Sequence, residues 1–444
     1  MAYSRRQFVT LAGAGAATAI LASPLKALYA APARGRLVRG GGYGKLVPDP
    51  NGLLDLPEGF QYRAFSRTGD IMSDGNPVPG GHDGMAAFRG SDKNVILVRN
   101  HELSPTSSTE VVGSPKYDVS SKGGTTTLIV GQNQELIEHY ASLAGTTRNC
   151  AGGATPWGSW ISCEEDVSTP ASNAALTRWH GYNFEVPANA QGLVSPQPLI
   201  AMGRFNHEAV AVDPKTGIIY QTEDRGDGLF YRFVPNQRGN LKAGGFLQAL
   251  VIKGKPKVNT NNNPAQTIQV GELLEVEWVT IDNPNPDNDN APTGVRYQGY
   301  EKGAARFTRG EGAWYGNGEV YFTCTNGGPA GAGQVWRYVP GRTPQRGGTI
   351  ELFVEPNDRN ILEAPDNIVI APTGDLFICE DGRDTQYVVG VNSKGQLYQF
   401  ARNAINDSEF AGACFSPNGQ TMFVNIQTPG ITFAIWGPWR SKRG

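Results

Sequence analysis

Six stretches of the chain repeat one alternation of polar and apolar positions. They read DGMAAFRGSDKNVILVRNHE (83–102), CAGGATPWGSWISCEED (150–166), EAVAVDPKTGIIYQTED (208–224), EGAWYGNGEVYFTCTNG (311–327), DNIVIAPTGDLFICEDG (366–382) and AGACFSPNGQTMFVNIQ (411–427). Each opens on a residue that is usually acidic, continues through an apolar run to a Pro/Gly turn, and returns along a second apolar run to polar residues. Period-two alternation around such turns predicts a β-hairpin. Four hairpins are followed by closely similar text that predicts a third strand: YNFEVP (182–187), GLFYRFVP (228–235), GQVWRYVP (333–340) and GQLYQFAR (395–402). Helical periodicity is confined to short pieces near Ala174–Trp179.

The repeats start at 83, 150, 208, 311, 366 and 411, so they are spaced by 67, 58, 103, 55 and 45 residues. A four-stranded propeller blade takes about 40–50 residues. The intervals therefore read as blades with loops attached, and the expected fold is an all-β, six-bladed propeller. A β-sandwich with irregular strands is the alternative. The long third interval holds an insertion at about 236–306, Asn/Pro-rich around Asn259–Pro264 and Asp282–Pro292, which reads as surface loop. Asp287-Asn288-Asp289 lacks the glycine and distal glutamate of an EF-hand.

In a propeller the innermost strands line a central channel, and their first residues gather at one mouth of it. That position carries Asp83, Cys150, Glu208, Glu311, Asp366 and Ala411. Four carboxylates and a thiol brought together repel one another and suffer desolvation unless cations bind among them. The second strands return to the same face and end on Glu102, Glu164, Glu223, Asp224, Glu380 and Asp381. Glu102, Glu164 and Glu380 in particular could complete an oxygen-rich outer shell suited to calcium. Any one of them alone reads equally well as a solvated strand end.

With five His and neither HExxH nor HxH, a His-based zinc site is disfavoured. Carboxylates with one thiolate suit calcium together with a metal such as ferric iron. Cys163, Cys324 and Cys379 all stand thirteen residues after their repeat starts and Cys414 lies within an inner strand, so these four read as packing residues. Cys163 beside Glu164 has no partner His for nucleophilic catalysis, and no Gly-x-Ser-x-Gly elbow or Walker loop is present.

The first residues change the picture of where the protein works. Ser4-Arg5-Arg6-Gln7-Phe8 precedes an apolar run, Leu11–Ala22, and a small-residue site, Ala31-Pro32-Ala33. This order predicts a twin-arginine export signal over 1–33, too short to span a bilayer, with the propeller over 34–444. Export would engage the twin-arginine translocation machinery and deliver a periplasmic or secreted protein. The formal charge of −2 becomes −5 once Arg5, Arg6 and Lys26 are removed. A mildly acidic chain with no Lys/Arg-rich run disfavours nucleic acid as a partner. A monomer without membrane insertion is expected.

Several stretches carry a family resemblance: LPEGFQYRAFSRTG (56–69), GHDGMAAF (81–88), NCAGGATPWGSWISCEED (149–166), FNHEAVAVDP (205–214), FTRGEGAWY (307–315) and PDNIVIAPTGDLFICEDG (365–382). They resemble, in order and from about residue 44 to the C-terminus, the PhoX family of bacterial alkaline phosphatases. The resemblance implies a six-bladed propeller that hydrolyses phosphate monoesters outside the cytoplasm with two ferric irons and several calcium ions. On the matching motifs it implies Cys150 as the iron-binding thiolate, Glu208 and Glu311 as carboxylates shared by iron and calcium, and Asp366 as a further ligand. Arg309 resembles the family's phosphate-binding arginine, while Asp83 rests mainly on the repeat. Thr428 stands where many relatives carry His. Two other readings remain open: a calcium-dependent propeller lactonase, which would need neither Cys150 nor Arg309, and a non-enzymatic propeller scaffold.

Overall fold

The computed structural model describes residues 36–37 and 42–439, apart from 344–345 and 393–395. The expected export signal, residues 1–33, lies outside them. All six hairpins form antiparallel pairs. They are His82–Arg89 with Val95–His101, Asn149–Ala154 with Ser159–Glu164, His207–Val212 with Ile219–Glu223, Gly310–Gly316 with Glu319–Cys324, Pro365–Ile370 with Leu376–Glu380, and Phe410–Phe415 with Thr421–Ile426. Turn chemistry explains the register. Between Gly316 and its partner Glu319 stand Asn317 (φ 55°) and Gly318 (φ 87°), the left-handed pair that a two-residue hairpin needs.

The six leading strands pack in sequence order. His82–Arg89 lies against Asn149–Ala154, then come His207–Val212, Gly310–Gly316, Pro365–Ile370 and Phe410–Phe415, which returns to His82–Arg89. The arrangement is all-β and propeller-like. An early strand, Gln61–Phe65, pairs with the last, Ile431–Trp436, so the two ends of the chain share one sheet. That pairing lets the two ends stabilise each other without an exposed sheet edge at either. Apolar clusters fill the space between successive sheets, such as Ile161, Cys163, Val210, Ile219 and Phe233. Among the described residues no helix is long and apolar enough to cross a membrane.

Three expectations change. No helix forms near Ala174–Trp179; the α-helix observed is Val295–Glu301. In the fifth repeat the third strand is Tyr387–Val391, and GQLYQFAR supplies the fourth, Gln396–Asn403. The insertion at 236–306 is not all loop. Its apolar runs form Gly245–Ile252 and Leu274–Thr280, which extend the third sheet, and Leu274 and Glu275 then pair with Ile350 and Thr349. The third and fourth sheets thereby become one sheet of nine strands. Alternation in GFLQALVI and LEVEWVT carried that signal, whereas the Asn/Pro composition of the flanking text hid it.

Candidate metal centre

A β-bulge sits at the same place in every leading strand. Register shifts fall between His82 and Met85, Asn149 and Gly152, His207 and Val210, Gly310 and Ala313, Pro365 and Ile368, and Ala411 and Cys414. An extra residue in one strand leaves backbone unpaired and re-aims the adjacent side chains. Here it frees Asp83, Cys150, Glu208, Glu311 and Asp366 from the ladder. The freed carbonyls are caught by the preceding sheet: Asn100 donates to Cys150 O (3.1 Å), Thr323 to Asp366 O (2.6 Å) and Asn425 to Asp83 O (2.6 Å). Thr222 does the same for Glu311 O. The close approach explains Gly312, where a Cβ would lie 2.6 Å from the Asp366 carbonyl oxygen.

These bulges bring the five expected ring residues to three contiguous clusters. Glu208, Glu311 and Asp366 form one; Cys150, Glu165 and Glu208 a second; Asp83, Glu102 and Glu409 a third; within each, potential ligand atoms lie within 4.8 Å of one another. Glu208 belongs to two of them. None contains a histidine.

The second-strand ends separate into two sets by one residue. Glu102, Glu165, Asp224, Thr325, Asp381 and Gln427 each donate their backbone N–H to the residue two before a ring position. The acceptors are Gly81, Arg148, Asn206, Arg309, Ala364 and Glu409. This set faces the clusters: Thr325 Oγ1 donates to Glu311 Oε1 (3.1 Å), and Gln427 Nε2 reaches Glu102 (2.8 Å) and Asp83 (3.2 Å). Their immediate predecessors point the other way, as strand alternation demands. Glu164 and Glu380, expected in the outer shell, are among those predecessors and stand apart from all three clusters. Glu164 accepts from Thr147 N (2.9 Å), Gly181 N (2.9 Å) and Tyr182 N (3.2 Å) and pairs with His180 Nδ1 (2.7 Å). Glu380 accepts from Glu363 N and Tyr387 N, and Glu223 from Leu229 N and the Tyr231 hydroxyl. Glu102 stays within its expected shell.

Sequence reasoning passed over Glu165 and Glu409. The doublet Glu164-Glu165 offered two acids one residue apart, and the bulge decides which one faces inward. Glu409 precedes the start of its repeat, at the position held by Arg148 and Arg309 in other repeats, so alignment from Ala411 missed it.

Together with Asp224 and Asp381 the clusters gather nine carboxyls and the Cys150 thiol around two guanidiniums, Arg148 and Arg309. Burial first, and neighbouring carboxylates second, raise Asp83, Glu208, Glu311 and Glu409 well above the ordinary carboxylate range. Burial likewise brings Asp366 to about 8, with Asp381 adding to it. Burial, then Glu208, pushes the Cys150 thiol far up. Such a constellation is self-repelling when ionised and is relieved by polyvalent cations. Oxygen donors fit calcium, and the thiol beside Glu165 and Glu208 fits a softer or higher-valent ion. The donor set is therefore compatible with a mixed metal centre.

Arg309 stands at the edge of this region, its side chain 42% exposed. It donates a fork to Asp224 (2.9 and 3.2 Å) and one further bond to Glu311 (3.1 Å). Of the cysteines, Cys150 alone belongs to an acidic cluster, with Sγ 3.4 Å from His207 O. Cys163, Cys324, Cys379 and Cys414 are buried among apolar side chains, as expected.

The Glu164–His180 pair has a pH signature. Burial alone would lower His180, but Glu164 and then Asp118 outweigh it and raise it from 6.5 to about 8. The imidazolium therefore stabilises the fold fully below pH 6.5, by about 2 kcal/mol. That contribution fades as pH rises through about 8. Thermal melts should show His180→Gln far below the parent at pH 6 and closer to it at pH 9.5. An equal gap at both pH values would contradict a charged His180.

With this geometry in place, similarity to known proteins narrows the chemistry. A solved structure described as Pseudomonas fluorescens PhoX in complex with vanadate, a transition state analogue, superimposes with a TM-score of 0.66. Identity is 17%, covering 87% of this chain and 96% of that one. A gluconolactonase from Xanthomonas campestris is more distant, with a TM-score of 0.42 and 13% identity over 89% of this chain and 98% of that one. Among curated proteins no sequence matches. The profile of the family described as alkaline phosphatase PhoX matches residues 41–138 and 125–430, nearly all of the described chain. The chain thus belongs to the alkaline phosphatase PhoX family and is a phosphoric monoester hydrolase acting on small phosphate esters.

Proposed function

We propose that this phosphatase is a six-bladed propeller whose active site lies at one mouth of the central channel and depends on bound iron and calcium. The observation that carries this reading is the meeting of two clusters on Glu208, one thiol-containing and one purely carboxylate. In it, ferric iron takes Cys150, Glu165 and Glu208. Calcium takes the oxygen-only groups, Asp83 with Glu102 and Glu409, and Glu311 with Asp366. The closed order of the six leading strands supports the blade count.

Phosphoryl transfer asks mainly for positioning and neutralisation of charge. Bound cations would supply Lewis acidity and a water of lowered pKa. The chain's own residues do the rest. Arg309 presents a planar fork to the phosphoryl oxygens, a geometry lysine cannot reproduce. Asp224 holds that fork in orientation while the buried carboxylates keep their ions in a region poor in water. No side-chain nucleophile is required. Removing calcium with EGTA should abolish most hydrolysis, and added calcium, not magnesium, should restore it. Full activity after EGTA treatment would contradict the calcium assignment.

The same reading places the protein in the periplasm or outside the cell, delivered folded by the twin-arginine machinery because its metals are buried. Its support is Arg5-Arg6 followed by the Leu11–Ala22 apolar run. The double variant Arg5→Lys, Arg6→Lys should remain in the cytoplasm. Undiminished periplasmic accumulation of that variant would overturn the export route.

A further inference from the structure

We infer that Arg148 is a second phosphate-binding arginine, acting opposite Arg309 across the same acidic centre. This rests on the phosphatase reading of that centre and deepens it. Arg148 and Arg309 each stand two residues before a ring residue, Cys150 and Glu311 respectively. Both have a φ of 48°, and both side chains are 42% exposed. Each accepts, through its carbonyl, the N–H of the inward-facing residue that ends the second strand, Glu165 in one case and Thr325 in the other.

The backbone role does not explain the side chain. Gly81 and Ala364 hold the same position with φ of 56° and 46° and accept the equivalent N–H groups of Glu102 and Asp381. Glycine is the undemanding choice at positive φ, and a long side chain there carries a conformational cost. Arg148 is therefore retained for what its guanidinium does. That group bridges Glu102, at 2.7 Å, and Glu165. Glu165 in turn stands beside Asp224, close enough to share a proton, and Asp224 carries the Arg309 fork. The two guanidiniums thus flank one short run of carboxyls above Cys150 and Glu208. Both are open to solvent on the side that an incoming anion would use.

A counter-ion confined to Glu102 and Glu165 is the competing account, and the two differ in what they move. The holoenzyme carrying Arg148→Met or Arg148→Lys is compared with the parent for orthovanadate affinity, KM and kcat on a simple aryl phosphate, iron and calcium content, and melting temperature. Arg148→Met should weaken vanadate binding and raise KM by roughly 10- to 100-fold, the scale of one or two charge-assisted hydrogen bonds. Metal content should stay at the parental level. Arg148→Lys should recover part of the affinity, because it keeps the charge and loses the fork. Vanadate affinity within about twofold of the parent in both variants would overturn the inference. So would a loss of affinity that only tracks lost metal. If the parent itself neither hydrolyses the ester nor binds vanadate, the reading of the whole centre fails, and Arg148 with it.

Discussion

Replacing Cys150 by serine should remove the visible thiolate-to-iron colour and nearly all hydrolysis while the protein still folds. Cys150 lies at a bulge where its Sγ shares one cluster with Glu165 and Glu208, so serine substitutes a hard, poorly ionised hydroxyl for the single thiolate of the donor set. Loss of an outer-shell partner costs a metal site roughly 10- to 100-fold, and loss of this ligand should exceed that. The melting temperature should fall only modestly, because the side chain sits in a polar cluster and fills no apolar core. Cys163→Ser is the control. Cys163 packs among Ile161, Val210 and Ile219, so a hydroxyl there should cost roughly 1–3 kcal/mol in stability. Colour and most activity should survive. The reverse pattern, with colour lost in the Cys163 variant and kept in the Cys150 variant, would undo the register of the second repeat.

The adjacent acids Glu164 and Glu165 should divide in the opposite sense. Glu164→Ala leaves three backbone N–H groups, of Thr147, Gly181 and Tyr182, and one face of His180 without their acceptor. All of this is buried, and stripping a partner from a buried polar network costs about 3–5 kcal/mol. Denaturant titration of the metal-free protein should register that loss. Glu165→Ala removes a carboxyl from a crowded, self-repelling group, so the metal-free protein should be no less stable than the parent. Its defect should appear as lost iron and lost hydrolysis. Similar stability losses in both variants would mean that the two side chains do not divide between sheet and centre.

The ring residues were legible because two periodicities coincide in them. Pro/Gly turns mark where each hairpin folds back, and counting from the turn places Asp83, Cys150, Glu208, Glu311 and Asp366 at equivalent positions. What stayed hidden depends on single-residue register. A one-residue slip exchanges the two faces of a strand, and the bulge in each leading strand introduces such a slip without any marker in composition. For that reason Glu164 and Glu380 looked equivalent to Glu102, although the inward positions belong to Glu165 and Asp381. Glu409 was concealed because the sixth repeat begins on Ala411, which has no ligand to draw attention upstream. The pairing of Gln61–Phe65 with Ile431–Trp436 joins segments from opposite ends of the chain, and no local pattern specifies such a contact. In the insertion, the strands Gly245–Ile252 and Leu274–Thr280 were masked by Asn- and Pro-rich text beside them.

The central claim is that a thiol and a set of carboxyls, delivered by six equivalent bulges, hold the metals on which hydrolysis depends. Anomalous diffraction from crystals of the active, exported enzyme, recorded on both sides of the iron edge, tests it most directly. The account predicts an iron peak bounded by Cys150, Glu165 and Glu208, with calcium-level density beside Asp83 and Glu409. Fully active crystals with no metal scattering at Cys150 would contradict it.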